Sequence, residues 1–300
     1  MDQLAALLDG PRARGAFLLR AHLDPPWSMR VQDEAPLTLV AVVKGEAWIG
    51  ESTRLRPGEV AVVRGPQPYV VADRPGTPPQ VVIHPGQRCT TLDGQSLFES
   101  MLLGVRTWGN SGAGGATAML VGTYQLEGEV SRRLLDALPQ LIVLPGGPLI
   151  GLLGQEVVKD EPGQETVLDR LLDLLLISTL RTWFAEHETP AWYRAMGDPV
   201  VGRAMRMLHD DPARAWTVAA LAAEVGVSRA SLARRFTDLV GEPPMSYLTD
   251  WRLALAADLL REPGATVGSV ARKVGYGTPF ALSAAFKRVR GVSPQEYKAG

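Results

Sequence analysis

The chain has 300 residues, room for two domains, and 46% of them are hydrophobic and 21% charged, which excludes a disordered or collagen-like polypeptide. Its formal net charge of −1 hides an asymmetry: from Val200 onward 14 Lys/Arg face 9 Asp/Glu, while the remainder carries 17 and 23. A basic C-terminal third joined to an acidic remainder points that third toward a polyanionic partner.

Met1–Gly15 has no apolar core of the kind a signal peptide needs, so a cytoplasmic address is expected. The first half then reads as β. Ala16–Leu23, Ser28–Gln32, Leu37–Lys44, Ala47–Gly50, Glu59–Arg64, Tyr69–Ala72 and Gln80–His84 are short Val- and Leu-rich runs separated by Pro and Gly, the punctuation of a sandwich or barrel. Lys44-Gly45-Glu46 and Arg56-Pro57-Gly58-Glu59 are turn signals. Gly109–Gly115 is a flexible loop by composition, followed by a strand at Ala118–Leu126. The lone cysteine, Cys89, rules out a disulfide framework and a thiolate zinc cluster.

Helix takes over after Glu127. Ser131 is placed as the cap of a short helix to Leu138, and Pro145–Pro148 breaks the chain. Glu165–His187 forms a long helix with Leu168, Leu171, Leu172, Leu175, Leu176, Leu180 and Trp183 at helical spacing. That stripe suits either the core of its own domain or a partner helix in a dimer. Asp169, Arg170, Asp173 and Arg181 interrupt it, short of the roughly 20 apolar residues of a bilayer span; no membrane partner is expected. Residues 1–187 are thus taken as one domain and 188–198 as a linker.

Residues 199–300 carry an imperfect repeat. Val218–Gly226 aligns with Val267–Gly275 at an offset of 49, and Phe236, Gly241, Pro244 and Tyr247 match Phe286, Gly291, Pro294 and Tyr297 at an offset of 50. Each copy, at about 217–240 and 266–290, reads as helix, glycine turn, helix. Ala222 and Ala271 allow close helix crossing; Thr217, Ser228, Thr266 and Thr278 stand at N-cap positions, with Pro279 at N1. Met245–Arg261 is an amphipathic helix able to fix the separation of the copies, as two units entering successive major grooves require. The first recognition helix presents Arg229, Ser231, Arg234 and Arg235. Arg234 is assigned to a base edge, because guanidinium can address guanine bidentately, and Arg229 and Arg235 to phosphates.

Trp216-Thr-Val, Val225-Gly-Val-Ser228, Arg235-Phe236, Val240-Gly-Glu-Pro-Pro244, Trp251-Arg252, Val274-Gly-Tyr276, Ala285-Phe-Lys-Arg288 and Gly291-Val-Ser-Pro294 together resemble the DNA-binding domain of AraC-family transcription regulators. The resemblance implies base-reading positions at Ala230, Ala233 and Arg234 and, in the second unit, at Phe280, Ala281 and Ala284. Many relatives carry a polar residue where Ala284 stands. Thr278, Phe280, Ser283, Ala284 and Lys287 therefore offer little hydrogen-bonding readout: either Phe280 and Ala281 touch thymine methyls, or the second unit mainly positions the protein through phosphates. The N-terminal half resembles the cupin-like sensor and dimerisation domain of the same family. The implied whole is an α+β multidomain chain: a cupin-like β-barrel or sandwich with helices, then an all-α domain with two helix-turn-helix motifs. The implied function is a sequence-specific transcription regulator on double-stranded operator DNA, homodimeric through the N-terminal domain, responding to a small molecule or oxidant and meeting RNA polymerase.

Two rivals stand beside this reading: a cupin-type enzyme and a constitutive architectural DNA binder. Non-haem iron cupins need two His and a carboxylate converging in the barrel, whereas His22, His84, His187 and His209 include no His-x-His pair. No metal, cofactor or catalytic residue is assigned, and an alkyl-acceptor role for Cys89 lacks the companion cysteines of its zinc site. For the sensor, Trp27, Trp48, Tyr69, Trp108 and Tyr124 are candidate pocket aromatics, with Trp48 and Tyr69 the preferred inward pair. His84-Pro-Gly-Gln-Arg88-Cys89 places imidazole, guanidinium and thiol in one loop. That arrangement would favour a thiolate if the three groups face one another; otherwise Cys89 is a small buried hydrophobe.

Overall fold

The computed structural model describes residues 17–112, 114–124, 128–187 and 189–299. Met1–Ala16, the stretch read for a signal peptide, and Gln125–Leu126, the end of the expected strand, lie outside them. The described residues form two compact units, one of 17–124 with 138–187 and one of 128–137 with 189–299.

The first unit is a two-sheet β structure. It comprises β1 (Phe17–Leu23), β2 (Ser28–Val31), β3 (Leu37–Lys44), β4 (Ala47–Ile49), β5 (Thr53–Leu55), β6 (Glu59–Arg64), β7 (Tyr69–Ala72), β8 (Val81–His84), β9 (Arg88–Thr90), β10 (Leu102–Gly104), β11 (Thr107–Gly109) and β12 (Thr117–Tyr124). After β12 the chain enters α1 (Glu129–Leu135) of the second unit and returns with β13 (Leu141–Pro145). The sheets run β10-β11-β1-β12-β3-β6-β13 and β5-β4-β7-β2-β8-β9. Strands 53–55, 88–90, 102–104, 107–109 and 141–145 go beyond those read from sequence; all are short, and β13 gains its partner in β6, about eighty residues earlier.

Between the sheets lies one core that includes Val40 and Val42 of β3, Ala61 and Val63 of β6 and Met119 of β12. The alternate residues Leu37, Leu39, Ala41 and Leu120 are also buried, because α2 (Pro148–Glu156) and α3 (Gln164–Glu186) cover the outer face of the larger sheet. This double burial explains why Leu37–Val43 reads as a continuous apolar run rather than an alternating one. The stripe of α3 is used here: Leu168, Leu172, Leu175, Leu176, Leu180 and Phe184 are buried within the single chain. A Cβ on Gly122 would come within 2.5 Å of Leu172, so the bare strand surface admits the helix. Leu171 and Trp183 of the expected stripe are only half-buried.

In the loop Gly109–Gly115, expected to be flexible, Asn110 is tied to Asp24, as is Ala116 just after it. Asn110 accepts from the Asp24 N–H at 2.7 Å and donates to its carbonyl at 2.9 Å. The Asp24 carboxylate accepts from the Ala116 N–H at 2.7 Å, and Lys44 Nζ reaches the Gly115 carbonyl at 2.8 Å. Hydrogen bonds from Ser111 and Ala116 hold the Asp24 carboxyl below the usual carboxylate range.

The second unit is helical. Besides α1 it contains α4 (Ala191–Met196), α5 (Val201–Asp210), α6 (Val218–Val225), α7 (Arg229–Val240), α8 (Pro244–Leu260), α9 (Val267–Lys273), α10 (Pro279–Arg290) and α11 (Pro294–Ala299). Helix α4 occupies most of the segment read as a linker, with Ala195 fully buried. Helix α1 begins two residues before Ser131, with Gly128 at its N-cap and no side-chain cap of its own. Its first N–H instead donates to Asp258 of α8 at 2.6 Å.

Gly109 sets the edge where β11 runs parallel to β1. Its φ is +148°, and a Cβ there would fall 1.9 Å from the His22 carbonyl oxygen. Gly109→Ala is therefore expected to destabilise the first unit by more than about 1 kcal/mol, read as a lower urea midpoint; an unchanged midpoint would show that this edge does not constrain the sheet.

Candidate nucleic-acid interface and effector pocket

In the first helix pair, α6 and α7 are joined by Gly226 at φ +76°, whose N–H closes onto the Ala222 carbonyl; glycine takes this left-handed position without steric cost. Thr217 accepts from the Ala220 N–H at 3.0 Å and Ser228 from the Ser231 N–H at 3.2 Å. Both helices thus start on side-chain caps, each worth about 1 kcal/mol. Leu232 and Phe236 are fully buried and lock the roll of α7. Arg229, Ala230 and Arg234 are left exposed, with Ser231 and Ala233 half-buried at the edge. Arg235, expected at a phosphate, is paired with Asp198. Its Nη2 and Nε donate to Asp198 at 2.6 and 3.1 Å. Asp198 also accepts from the N–H groups of Val200 and Val201 at 2.9 Å. Burial pushes the Asp198 carboxyl up, but these donors outweigh it and hold the group low.

The second pair, α9 and α10, repeats the frame. Thr266 and Ser269 form a reciprocal capping box, and Thr278 accepts from the Ala281 N–H at 3.1 Å with Pro279 at the first turn. Leu282 and Phe286 are buried at the positions of Leu232 and Phe236. The outer face is different. Phe280 is 82% exposed, and Ala281, Ala284 and Lys287 are exposed beside it. The hydroxyls of Thr278 and Ser283 are taken up inside the helix, Ser283 donating to the Pro279 carbonyl at 2.9 Å. Where the first helix offers Ala230 and Arg234, the second offers Phe280 and Ala284.

Helix α8 belongs to both cores. Tyr247 and Leu248 pack with the first pair, and Leu253, Ala256, Ala257 and Leu260 with the second. At its middle, Trp251 stacks on His209 with centroids 3.9 Å apart, and His209 Nε2 lies 2.7 Å from the Tyr247 hydroxyl. Arg252 donates to the carbonyls of Pro212 and Arg214 at 2.6 and 2.8 Å, tying the α5–α6 loop to the spacer. Burial lowers its pKa from the ordinary arginine value. This anchoring role of Arg252 has no local signal in the sequence, because it depends on carbonyls about 40 residues away.

In the β unit, parity separates the proposed sensor residues. Ala47 and Ile49 of β4 belong to the inter-sheet core, so Trp48 between them lies on the opposite face, paired across to Ala72. Tyr69 does line the interior, with Val71 two residues on; burial raises its phenol pKa. The preferred pair Trp48–Tyr69 therefore does not meet in one pocket. Tyr124 is buried on the outer, helix-covered side of β12, whereas Met119, Val121 and Thr123 face in. Likewise His84 pairs across with Arg88, and Ile83 with Cys89. His84 bonds Thr90 at 3.0 Å, Arg88 is exposed, and Cys89 points into the core beside Ile83. The thiol, imidazole and guanidinium are not assembled into one thiolate-stabilising cluster. Among the described residues no group of three or more His, Cys, Asp or Glu converges to hold a metal ion, and no helix is long and apolar enough to cross a membrane.

Comparison with known proteins covers the whole chain. Residues 2–185 match the family described as Cupin and residues 221–300 a helix-turn-helix domain family. A putative AraC-like transcription regulator of Streptomyces lividans is 32% identical across 99% of this chain and 98% of its own length. A second protein of that description, from Streptomyces antibioticus, is 36% identical across 69% of this chain and 70% of its own. Among solved structures, the DNA-binding domain of AdpA in complex with a target DNA is 32% identical, covering 34% of this chain and 92% of that one, with a TM-score of 0.33.

Burial raises the pKa of the Cys89 thiol, and thiolate is the reactive form. Alkylation by iodoacetamide near neutral pH is expected to be much slower in the folded chain than in urea. Equal rates in the two states would contradict an inward, shielded thiol.

Proposed function

The chain belongs to the AraC-like transcription regulators with an N-terminal cupin domain, and on that premise we propose that it recognises a specific operator and that its cupin unit receives a small-molecule signal that changes DNA binding. The DNA-binding regulator itself is the family's function. The observation that carries sequence-specific readout is the pair of matched recognition helices, α7 and α10, held by one spacer and offering unlike outer faces. Arg234 on α7 can make the bidentate contact to guanine; α10 offers an aromatic ring and alanines, suited to thymine methyls and close approach. Lys287 and Arg288 in the last turn of α10 supply phosphate contacts. A small molecule is favoured over an oxidant because Cys89 is turned inward and Arg88 outward. A homodimer, if the chain forms one through this unit, uses a surface other than the buried leucine stripe of α3.

A ligand changes DNA affinity only by binding DNA-competent and incompetent arrangements unequally, so site and signal can be tested apart. Selection of sites from randomised duplex DNA should yield two conserved patches about 10 base pairs apart, the patch under α7 the more strongly specified. Arg234→Ala should cost about 1–3 kcal/mol on the selected site and little on unrelated DNA. Equal loss on every sequence would support an architectural binder instead.

A further inference from the structure

The recognition helices α7 and α10 align at an offset of 50 and share their buried anchors, yet their exposed faces differ at every position. Arg229, Ala230, Ser231 and Arg234 of α7 stand where α10 has Pro279, Phe280, Ala281 and Ala284. Each polar residue of the first helix is thus matched by an apolar one in the second. All four α10 residues are exposed. Phe280, at 82%, is the most exposed large hydrophobic side chain among the described residues. Phe280, Ala281 and Ala284 share one helical face, being three and four positions apart.

What this face can recognise follows from its chemistry. Pro279 has no N–H to donate. The Thr278 hydroxyl accepts from the Ala281 N–H at 3.1 Å and the Ser283 hydroxyl donates to the Pro279 carbonyl at 2.9 Å, so both are engaged with the helix's own backbone. Lys287 and Arg288, exposed in the last turn, supply positive charge for flanking phosphates. Among the major-groove features that distinguish base pairs, all but one are hydrogen-bond donors or acceptors; the exception is the methyl group on C5 of thymine. A donor or acceptor covered by Phe280 and the alanines would lose its water without gaining a partner. A methyl group in the same place gains by leaving water. 5-Methylcytosine carries that methyl on the same ring carbon, whereas uracil and cytosine lack it.

We propose that α10 reads the C5-methyl group of a pyrimidine rather than the identity of the base, so that 5-methylcytosine serves in place of thymine and cytosine methylation raises occupancy of the site. The occupant of this face is duplex DNA: α10 repeats the capped frame of α7, its last turn is basic, and DNA binding is the family's function. The inference rests on the operator reading above and states what the half-site under α10 must carry. The pyrimidine methyl lies against Phe280, and Ala281 and Ala284 are short enough to admit the groove edge.

The test uses the full chain and the duplex it selects from randomised DNA. Of the two conserved patches, the one that Arg234→Ala does not relax belongs to α10. Each T·A pair there is replaced in turn by U·A, C·G and 5-methyl-C·G. At the contacted pair, affinity should fall about fourfold for uracil and for cytosine, the factor for roughly 0.8 kcal/mol of one apolar carbon returned to water, and stay within about twofold of thymine for 5-methylcytosine. Phe280→Ala, at a side chain outside both helical cores, should make the four pyrimidines equivalent and leave the thermal midpoint unchanged. Arg234→Ala should weaken binding to all four duplexes and keep their order. Thymine and uracil bound equally throughout the patch, or a patch without thymine on either strand, overturns the assignment. So does 5-methylcytosine bound as weakly as cytosine, since the thymine pair would then be recognised by its polar groups. A methyl dependence that survives Phe280→Ala also overturns it, because the methyl is then read elsewhere. Conserved patches without the methyl order, or a patch under α7 alone, remove this inference and leave the operator reading standing. The absence of any conserved patch removes both.

Discussion

A single helix fixes what the second unit can do. Pro244–Leu260 is continuous over 17 residues, about 25 Å at 1.5 Å per residue. Its N-terminal half is core for one helix-turn-helix pair and its C-terminal half core for the other. A recognition helix is useful only if its roll and position are held, and here each is set by two buried anchors against this shared spacer. Because the same helix completes both cores, neither pair can rotate without unpacking part of it. Arg252 and the Trp251–His209 stack reinforce its middle, where the cores meet. The spacing of the two DNA-facing surfaces is therefore a property of helix geometry rather than of a flexible linker.

The second unit does not follow chain order. Helix α1 lies between two strands of the β unit in sequence, yet it packs on α8 and is tied there by charge. Glu129, buried, pairs with Arg290 of α10 and with Arg132, and accepts from the Tyr297 hydroxyl at 3.3 Å. Burial alone would raise its pKa; Arg290, Arg132 and Tyr297 together outweigh that and hold it low. Removing Arg290 would leave the buried Glu129 carboxylate without its nearest cation, the costly way to break such a pair. Residues 128–137 are thus part of what the second helix-turn-helix pair is built on.

The C-terminal repeat was legible because its signals are local. Thr217, Ser228, Thr266 and Thr278 cap helices a few residues away, Gly226 turns within its own motif, and Leu232 and Phe236 recur at helical spacing; no distant partner is needed to interpret them. The β unit was legible only in its long strands. Ala47–Ile49 is three residues long, and alternation alone allows either Trp48 or its neighbours to face inward. The choice is made by pairing with Val71 and Ala72, which lie more than twenty residues on. The same two-fold ambiguity separated Cys89 from His84 and Arg88. Ser131 resembled a cap, but the group that caps α1 is Asp258, 129 residues away.

The two helix-turn-helix copies show how one frame carries two surfaces. Their buried positions are near-equivalent, Leu232 with Leu282 and Phe236 with Phe286, because each must fill the same space against the same spacer at interior density. Their exposed positions face no such demand and have diverged in chemistry. Exposing Phe280 to water at 82% stabilises nothing within the chain. Neither does an unpaired alanine face stabilise α10 beyond helix propensity. That face of α10 is therefore not fixed by any packing demand within the described residues of its unit. Arg234, at the position matched by Ala284, has the opposite character: an exposed guanidinium that loses little by standing in water. The two unlike outer faces are carried by one spacer that completes both cores, so their separation is set by the same packing that holds each of them.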